Sequence, residues 1–445
     1  MSKKIIVAGA GHGGLGAAAM LAKSGLDVTV YEKKEQNKLG YDWKDAFYID
    51  AFTAIGMKLP PEELYGIGSL MTFYGPSCKT ALKEKSDPKG RTIKNTPVKM
   101  ERKVIYKLLI DYCLECGVKF VFNCEITGVV IDKDRVIGIK TASGEVYADL
   151  VIDAAGIDSP VRTNLPSFMG IQNEATSNDR ITIYRAYYNK EDFPVEDPYK
   201  VLLLYNNENG ISWVCDEGNL VDVLIGKFTT TDEQSIFNLI GKIRNDNPYI
   251  GEKLVRGGEF VPIPVTHPLS RMVHNGYAAI GDSAFMTVPV IGSGIANSLY
   301  AAKILAQTVL EDADGEYSSK TLWNYQYKYF KEIGFGMAKL AFVKIFLTKV
   351  QPEDLTFFLD NDYLTPDMLS MFMGYSGIGG VIKSSTMSDY IKIVKGLNEK
   401  REFTGAFAAI PAGMAKLVAV ERTFPKSFDE DKLSSWCRMF DNLYR

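Results

Sequence analysis

Residues 3–32 read KKIIVAGAGHGGLGAAAMLAKSGLDVTVYE, and this stretch decides the fold. Lys3 to Ala8 is a short apolar run, and Gly9-Ala10-Gly11-His12-Gly13-Gly14 follows at once. Ala17 to Lys23 favours helix, Asp27 to Tyr31 alternates as a second strand, and Glu32 stands at its end. In this order each residue has a separate task. Gly9 permits the tight turn out of the strand, Gly11 lets a pyrophosphate approach bare backbone, and Gly14 lets the helix pack close to the sheet. The helix start offers free N–H groups and a positive dipole end to phosphates. Glu32 accepts hydrogen bonds from a ribose diol, which disfavours a 2′-phosphate there. A glycine turn that serves packing alone is the rival reading, and the strand-helix-strand context argues against it. The stretch predicts a site for FAD or NAD.

Working outward, Gly40-Tyr41-Asp42-Trp43 reads as a loop before a short helix, and residues 71–99 as β-rich and loop-rich. A helix is predicted from about Arg102 to Cys116, then a strand at Val118 to Phe122. Ile126 to Asp132, Arg135 to Thr141 and Glu145 to Ala148 read as an antiparallel meander, and Leu150 to Asp153 as a buried strand ending in a small-residue turn. Alternating runs at Ile181 to Tyr188, Val201 to Tyr205, Ile211 to Val214 and Leu220 to Phe228 predict a largely antiparallel sheet, with one amphipathic helix at Asp232 to Ile243. Tyr277 to Ile280 is then a strand, Gly294 to Leu310 a long helix, and the remainder from about Ser318 mostly helical. No second strand-GxGxxG-helix unit follows, since Gly374 to Gly380 lacks a preceding strand.

The chain has 445 residues, 24% of them charged, and a formal net charge of −3, enough for a full core in two or three units. No Lys/Arg block with interleaved aromatics supports nucleic-acid binding. Six cysteines in a chain this long indicate a reducing compartment, and Cys113 and Cys116 form a lone CxxC inside a helix, where packing is the simpler role than metal binding. With three histidines a multi-histidine metal centre has no basis, and His12, inside the glycine loop, is expected to point to solvent or to the cofactor. The first strand starts at once, leaving no room for a signal peptide, and no run reaches the roughly eighteen apolar residues needed to span a bilayer. A cytoplasmic protein is expected.

Three separated motifs then make the chain resemble the FAD-dependent family of aromatic hydroxylases and geranylgeranyl reductases. They are the Gly9–Glu32 unit, the segment Asp153-Ala154-Ala155-Gly156-Ile157-Asp158-Ser159-Pro160-Val161-Arg162, similar to the family's ADGxxSxVR, and Gly281-Asp282-Ser283-Ala284 with Gly292-Ser293-Gly294-Ile295 following. The resemblance covers about residues 1–330. It implies FAD as cofactor, held by Gly9, Gly11, Gly14, Glu32, Arg102, Ile126, Gly156, Asp282, Gly292, Gly294 and Ile295, with Asp282 on a ribityl hydroxyl and the helix starting near Gly294 aimed at the flavin. The implied fold is α/β: a discontinuous Rossmann-like FAD-binding domain (1–70, 100–170, 260–330), an antiparallel β-sheet substrate domain (71–99, 171–259) and a helical C-terminal region (331–445). Where the family has Asp-Gly, this chain has Ala155-Gly156, which weakens the expectation of efficient NADPH use.

The run Asn209 to Asp216 resembles the YxWxFP strand of geranylgeranyl reductases, keeping Trp213 but placing Ile211 for the first Tyr and Cys215-Asp216 for Phe-Pro. The resemblance implies Trp213 at the substrate, where a buried Trp by itself reads more simply as plain core, and offers Cys215 or Asp216 as proton donor, with Asp216 equally a turn residue. The activity it implies is reduction of a carbon–carbon double bond in a hydrophobic small molecule by hydride from reduced FAD. Electrons would come from NAD(P)H docking transiently, or from ferredoxin or flavodoxin. The nearest rival is a flavin monooxygenase, and a rival of another class is a non-catalytic escort or dissociation-inhibitor-like protein. The apolar stretches Phe335 to Val350 and Phe403 to Val420 read as helices packed on the body, with peripheral membrane contact or a cover for a greasy substrate as the other reading. A monomer or homodimer is expected.

Overall fold

The structure is a computed structural model that describes residues 2–84, 90–94, 96–228, 232–365 and 406–444, together with Lys392, Lys395, Gly396 and Glu399. The strand-helix-strand unit forms as predicted: β1 (Lys4–Ala8), α1 (His12–Lys23) and β2 (Asp27–Tyr31). The chain then leaves for β3 (Lys44–Phe47), the short α2 (Asp50–Ala54), β4 (Tyr65–Ile67), β5 (Thr72–Tyr74) and β6 (Ala81–Lys83). The strand β3 was not foreseen, because only four residues separate the Gly40–Trp43 loop from the next turn and two of them are charged. β7 (Val98–Glu101) runs straight into α3 (Arg102–Glu115), and β8 (Lys119–Val121) returns. The expected meander is β9 (Ile126–Asp132), β10 (Arg135–Thr141) and β11 (Gly144–Tyr147), followed by β12 (Leu150–Asp153).

The middle of the chain supplies β13 (Arg180–Lys190), β14 (Tyr199–Leu203), β15 (Gly210–Asp216), β16 (Leu220–Lys227), α4 (Glu233–Asp246) and the long β17 (Ile250–Pro264). Then come β18 (Val273–His274), β19 (Tyr277–Ala279), α5 (Ile295–Leu310) and α6 (Ser319–Tyr329). One π-turn at Phe330–Gly334 joins α6 to α7 (Phe335–Lys349), and α8 (Pro352–Asp360), α9 (Ala406–Arg422) and α10 (Glu430–Asp441) complete the described helices. The segment Gly374 to Gly380 lies outside the described residues.

Four sheets result. The six-stranded one has the order β18-β19-β12-β1-β2-β8, parallel except for the β18–β19 edge pair. Its central strands are covered on both faces, which is why Leu150–Asp153 is buried at every position. α1 and α5 lie side by side on it: a Cβ on Gly16 would fall 3.0 Å from Leu299 and 3.1 Å from Ala302, so the glycine sets their close approach. The seven-stranded sheet runs β17-β13-β16-β15-β14-β5-β6 and is antiparallel apart from the β14–β5 pair. The strands β3, β7 and β4 form a small sheet between the two, and β9–β11 the fourth.

One face of the seven-stranded sheet packs Tyr184, Ala186, Val214, Val223 and Ile225 against Ile236, Leu239, Ile240 and Ile243 of α4. The main core is continuous from β1 through α5 into the C-terminal helices. There Trp436 meets Phe424, Phe440 and Phe330 at ring-centroid distances of 4.5, 4.8 and 5.3 Å. Arg271, almost fully buried, reaches Glu430 on α10 at 2.6 Å and ties that helix to the body. The stretch Phe335 to Val350 is packed as expected of a core helix. Among the described residues, no helix is long and apolar enough to cross a membrane.

Candidate functional site

In the six-stranded sheet the chain winds from β1 outward to β2 and β8, then crosses back so that β12 lies on the other side of β1. This reversal is the topological switch point, where open α/β sheets bind ligands at the carboxyl ends of their strands. The turns that meet there are Gly9–Gly14 after β1 and Ala154–Gly156 after β12, and both line a single cleft of about 570 Å3. Gly9 has φ +87°, a backbone conformation that suits glycine. Gly14 has no room for a side chain: a Cβ would sit 2.5 Å from Ala154 Cβ and 2.9 Å from Val7. Gly11 is glycine for a different reason from the one the motif alone gave. Its Cβ would strike the Ala154 carbonyl oxygen at 2.7 Å, so the neighbouring turn restricts it first.

Gly11 is the N-cap of α1 and provides no side-chain cap, so the first N–H groups of the helix stay open toward the cleft. Glu32 stands beside them, its two oxygens accepting from the backbone N–H of Ala10 and of Lys34, each at 2.9 Å. Carboxylate lone pairs remain for a diol. His12 does not face solvent. It is buried against Tyr106 at a ring distance of 4.6 Å, and its Nε2 has no hydrogen-bond partner. Burial, and then the Arg102 charge, holds its pKa well below the usual value, so the ring is neutral.

Arg102 opens α3, where β7 turns without a loop, and its Nη1 donates to Asp45 at 2.9 Å. Its Nε is buried without an acceptor. Opposite, Gly281 (φ +65°) ends the strand that delivers Asp282. No hydrogen bond joins the Asp282 carboxylate to another described residue, and burial raises its pKa against the pull of Arg102. Gly292 (φ +66°) and Gly294 bring the chain round to α5, which begins at Ile295 again without a side-chain cap. Ile126, Gly156, Gly292, Gly294 and Ile295 all line the cleft.

The segment Asp153–Arg162 serves mainly as a tie. Asp153 is fully buried and accepts from Ser159 Oγ (2.7 Å), Tyr277 Oη (3.0 Å), Ser283 Oγ (3.0 Å) and the Ala155 N–H (3.1 Å). Ser283 Oγ in turn accepts from the Gly156 N–H at 2.9 Å, so the turns after β12 and β19 are locked together. Arg162 is also fully buried, donates to the Gln172 and Ile157 carbonyls and stacks over Phe285.

The cleft continues onto the second face of the seven-stranded sheet. Ile181, Ile183, Ile211, Leu224, Val261 and Ile263 form an apolar floor there, and Trp213 also lines the cleft. Cys215, two residues on, does not reach the cleft wall. Its sulfur lies 2.9 Å from Lys99 Nζ, and Lys99 also pairs with Glu217 at 2.6 Å. Burial, partly offset by Lys99, pushes the thiol up to about 11. The sequence reading missed Arg185, Asp222 and Trp43, which also line this end. The signal was present: Arg185 breaks the apolar series Ile181-Ile183, and Asp222 breaks Leu220–Ile225, each at an inward-facing position.

These residues fit FAD. The uncapped helix starts, the orphaned His12 Nε2 and Arg102 Nε, and the unpaired Asp282 carboxylate are the polar groups that a phosphate-, ribose- and ribityl-bearing ligand satisfies. Comparison with known proteins agrees. Residues 4–181 match the family model described as glucose inhibited division protein A. The chain is 25% identical to the digeranylgeranylglycerophospholipid reductase of Sulfolobus acidocaldarius over 454 residues, covering 99% of this chain and 96% of that one. It is also 25% identical to digeranylgeranylglycerophospholipid reductase 1 of Methanococcoides burtonii, covering 79% and 85%. Among solved structures it is similar to a geranylgeranyl bacteriochlorophyll reductase-like protein of Thermoplasma acidophilum (TM-score 0.70, 19% identity, 92% and 99% covered). The chain shares the fold of that Thermoplasma acidophilum protein. That fold also serves a flavin-dependent brominase (TM-score 0.62, 15% identity, 90% and 100% covered), so fold alone does not choose the reaction.

Proposed function

We propose that this protein is an FAD-dependent oxidoreductase that saturates a carbon–carbon double bond in an apolar, isoprenoid-like substrate. The observation that carries the reading is the continuity of the cleft, which leads from the glycine turn past Asp282 onto the apolar floor of Ile181, Ile183, Ile211, Leu224 and Ile263. Similarity to the archaeal reductases along nearly the whole chain supports it. Bound and reduced, FAD supplies the hydride that one alkene carbon takes up, while a proton adds to the other.

The chain's own residues do the rest. The open N–H groups of Gly11–Gly14 hold the pyrophosphate, Glu32 a ribose diol and Asp282 a ribityl hydroxyl. The dipole at the start of α5 favours negative charge on a group bound there. The isoleucine floor excludes water from the alkene. The electron donor we assign to NAD(P)H docking transiently, or to a low-potential ferredoxin or flavodoxin.

The test is anaerobic. Purified protein reconstituted with FAD is reduced under argon with NADH, NADPH or reduced ferredoxin and given a polyprenyl alcohol. Saturated product formed without dioxygen is the expected result. Hydroxylated product that appears only when oxygen is admitted overturns the reductase reading, and a protein that stays colourless after reconstitution overturns the flavin.

A further inference from the structure

The floor of the substrate half is apolar at one end and charged at the other. On β13 the inward positions run Ile181, Ile183, Arg185, and on β16 they run Gly226, Leu224, Asp222. Arg185 and Asp222 are 7% and 1% exposed, and both line the cleft. The guanidinium binds the carboxylate as a fork, with Nε to Oδ1 at 2.9 Å and Nη2 to Oδ2 at 2.6 Å. Nη2 also reaches the Tyr187 hydroxyl at 3.3 Å. Arg185 lies near two indoles, 5.2 Å from the Trp213 ring and 5.7 Å from that of Trp43, and Trp213 Nε1 approaches Asp222 Oδ2 at 3.4 Å. The fork and the rings fix the direction of the remaining nitrogen, Nη1. It makes no hydrogen bond to any described residue.

Nη1 is not fully buried and Arg185 lines the cleft, so this unused pair of N–H donors opens onto the cleft, where it can donate to a bound acceptor. The fork to Asp222 already neutralises its charge, so the site offers directed donors more than net positive charge. The ligand that completes it carries a neutral oxygen acceptor next to an apolar chain.

We propose that Arg185 Nη1 is the polar anchor of the substrate site, donating to an ether or carbonyl oxygen at one end of an otherwise apolar alkene. The proposal rests on the reading of the cleft as an apolar-alkene site and adds the feature that sets the substrate's direction. Laid along Ile183 and Leu224, a chain held at this end places its double bonds at a fixed distance from the anchor. Arg185 would thereby choose which of several equivalent alkenes is reduced.

The experiment uses the oxidised, FAD-loaded full chain and two probes of equal length, a C20 polyprenyl methyl ether and the matching polyprenyl hydrocarbon. Binding is read from perturbation of the visible flavin spectrum, without turnover. The ether is expected to bind about 10-fold or more tightly than the hydrocarbon, the range of a hydrogen bond from a charged donor. In Arg185→Lys, which keeps the charge on Asp222 but loses the fork's third nitrogen, the two affinities should converge. The double variant Arg185→Met/Asp222→Leu removes the ion pair without leaving a buried charge, and should show the same convergence. Equal affinities in the unaltered protein overturn the anchor, as does a preference for the ether that survives both variants. If Arg185→Lys loosens FAD while the ratio of probe affinities stays put, Nη1 serves the cofactor and the proposal falls. If neither probe perturbs the flavin, the apolar-alkene reading fails first.

Discussion

Asp282 shows how a single residue trades stability against binding. Its carboxyl is raised by burial more than Arg102 lowers it, so the folded apoprotein binds a proton more readily than the unfolded chain does. Such a group lowers folding stability as pH rises from its unfolded value near 3.8 through its folded value, and the loss persists above. Asp282→Asn should therefore melt higher than the unaltered apoprotein at neutral pH, with the difference vanishing in strong acid. The same variant should hold FAD about 10- to 100-fold less tightly, as expected when a charged acceptor is lost. Calorimetry across pH and a flavin titration check the two halves. Gly11 works in the opposite sense. Because its Cβ would meet a backbone oxygen and not a flexible side chain, Gly11→Val should cost about 1–3 kcal/mol of apoprotein stability as well as flavin retention. A fully yellow variant with unchanged melting would remove Gly11 from the cradle.

At the scale of elements, α10 carries a large share of the C-terminal packing. Trp436 lies fully buried among Phe330, Phe424 and Phe440, and Trp436→Ala should destabilise the protein by about 3–5 kcal/mol in chemical denaturation. A loss below 1 kcal/mol would mean the cluster is not a core. The elements also show what a reader of the sequence could see. The unit β1-α1-β2, the meander and β13 to β16 were legible because most positions in each keep one period. β17 was not: Gly257 and Gly258, with φ of +73° and +80°, bulge the strand where GEKLVRGGE breaks the alternation, and much of it is exposed at a sheet edge. The glycine turn at the head of the cleft was legible for the same reason that β1 was, since its glycines sit in a fixed order. Arg185 and Asp222 left a signal as charges in apolar runs, but an inward charge acquires meaning only when the strand that pairs with it is known. Of the two directions open to His12, solvent falls away because Tyr106, far along the chain, buries the ring, while its place in the cleft lining leaves the cofactor direction standing.

At the scale of the whole molecule, the main core among the described residues joins β1 to Phe440 in one cluster. A chain cut after Leu310 would strip from α5, the helix whose first turn lines the cleft, both α6, which packs on it, and Met337 of α7, which meets Asn297. We expect that fragment to aggregate and to retain no flavin; a soluble yellow fragment would show that the helical third is an accessory. The Asp153 node has a consequence for engineering. Its partners come from β19 and from the turns after β12 and β19, so the parts of the sequence that line this end of the cleft behave as one machined piece. A chimera that imports Gly281–Ile295 from a relative must bring a matching hydroxyl at position 283 to sit beside the host's Tyr277 on Asp153, or the graft will arrive out of alignment with the strand it is meant to serve.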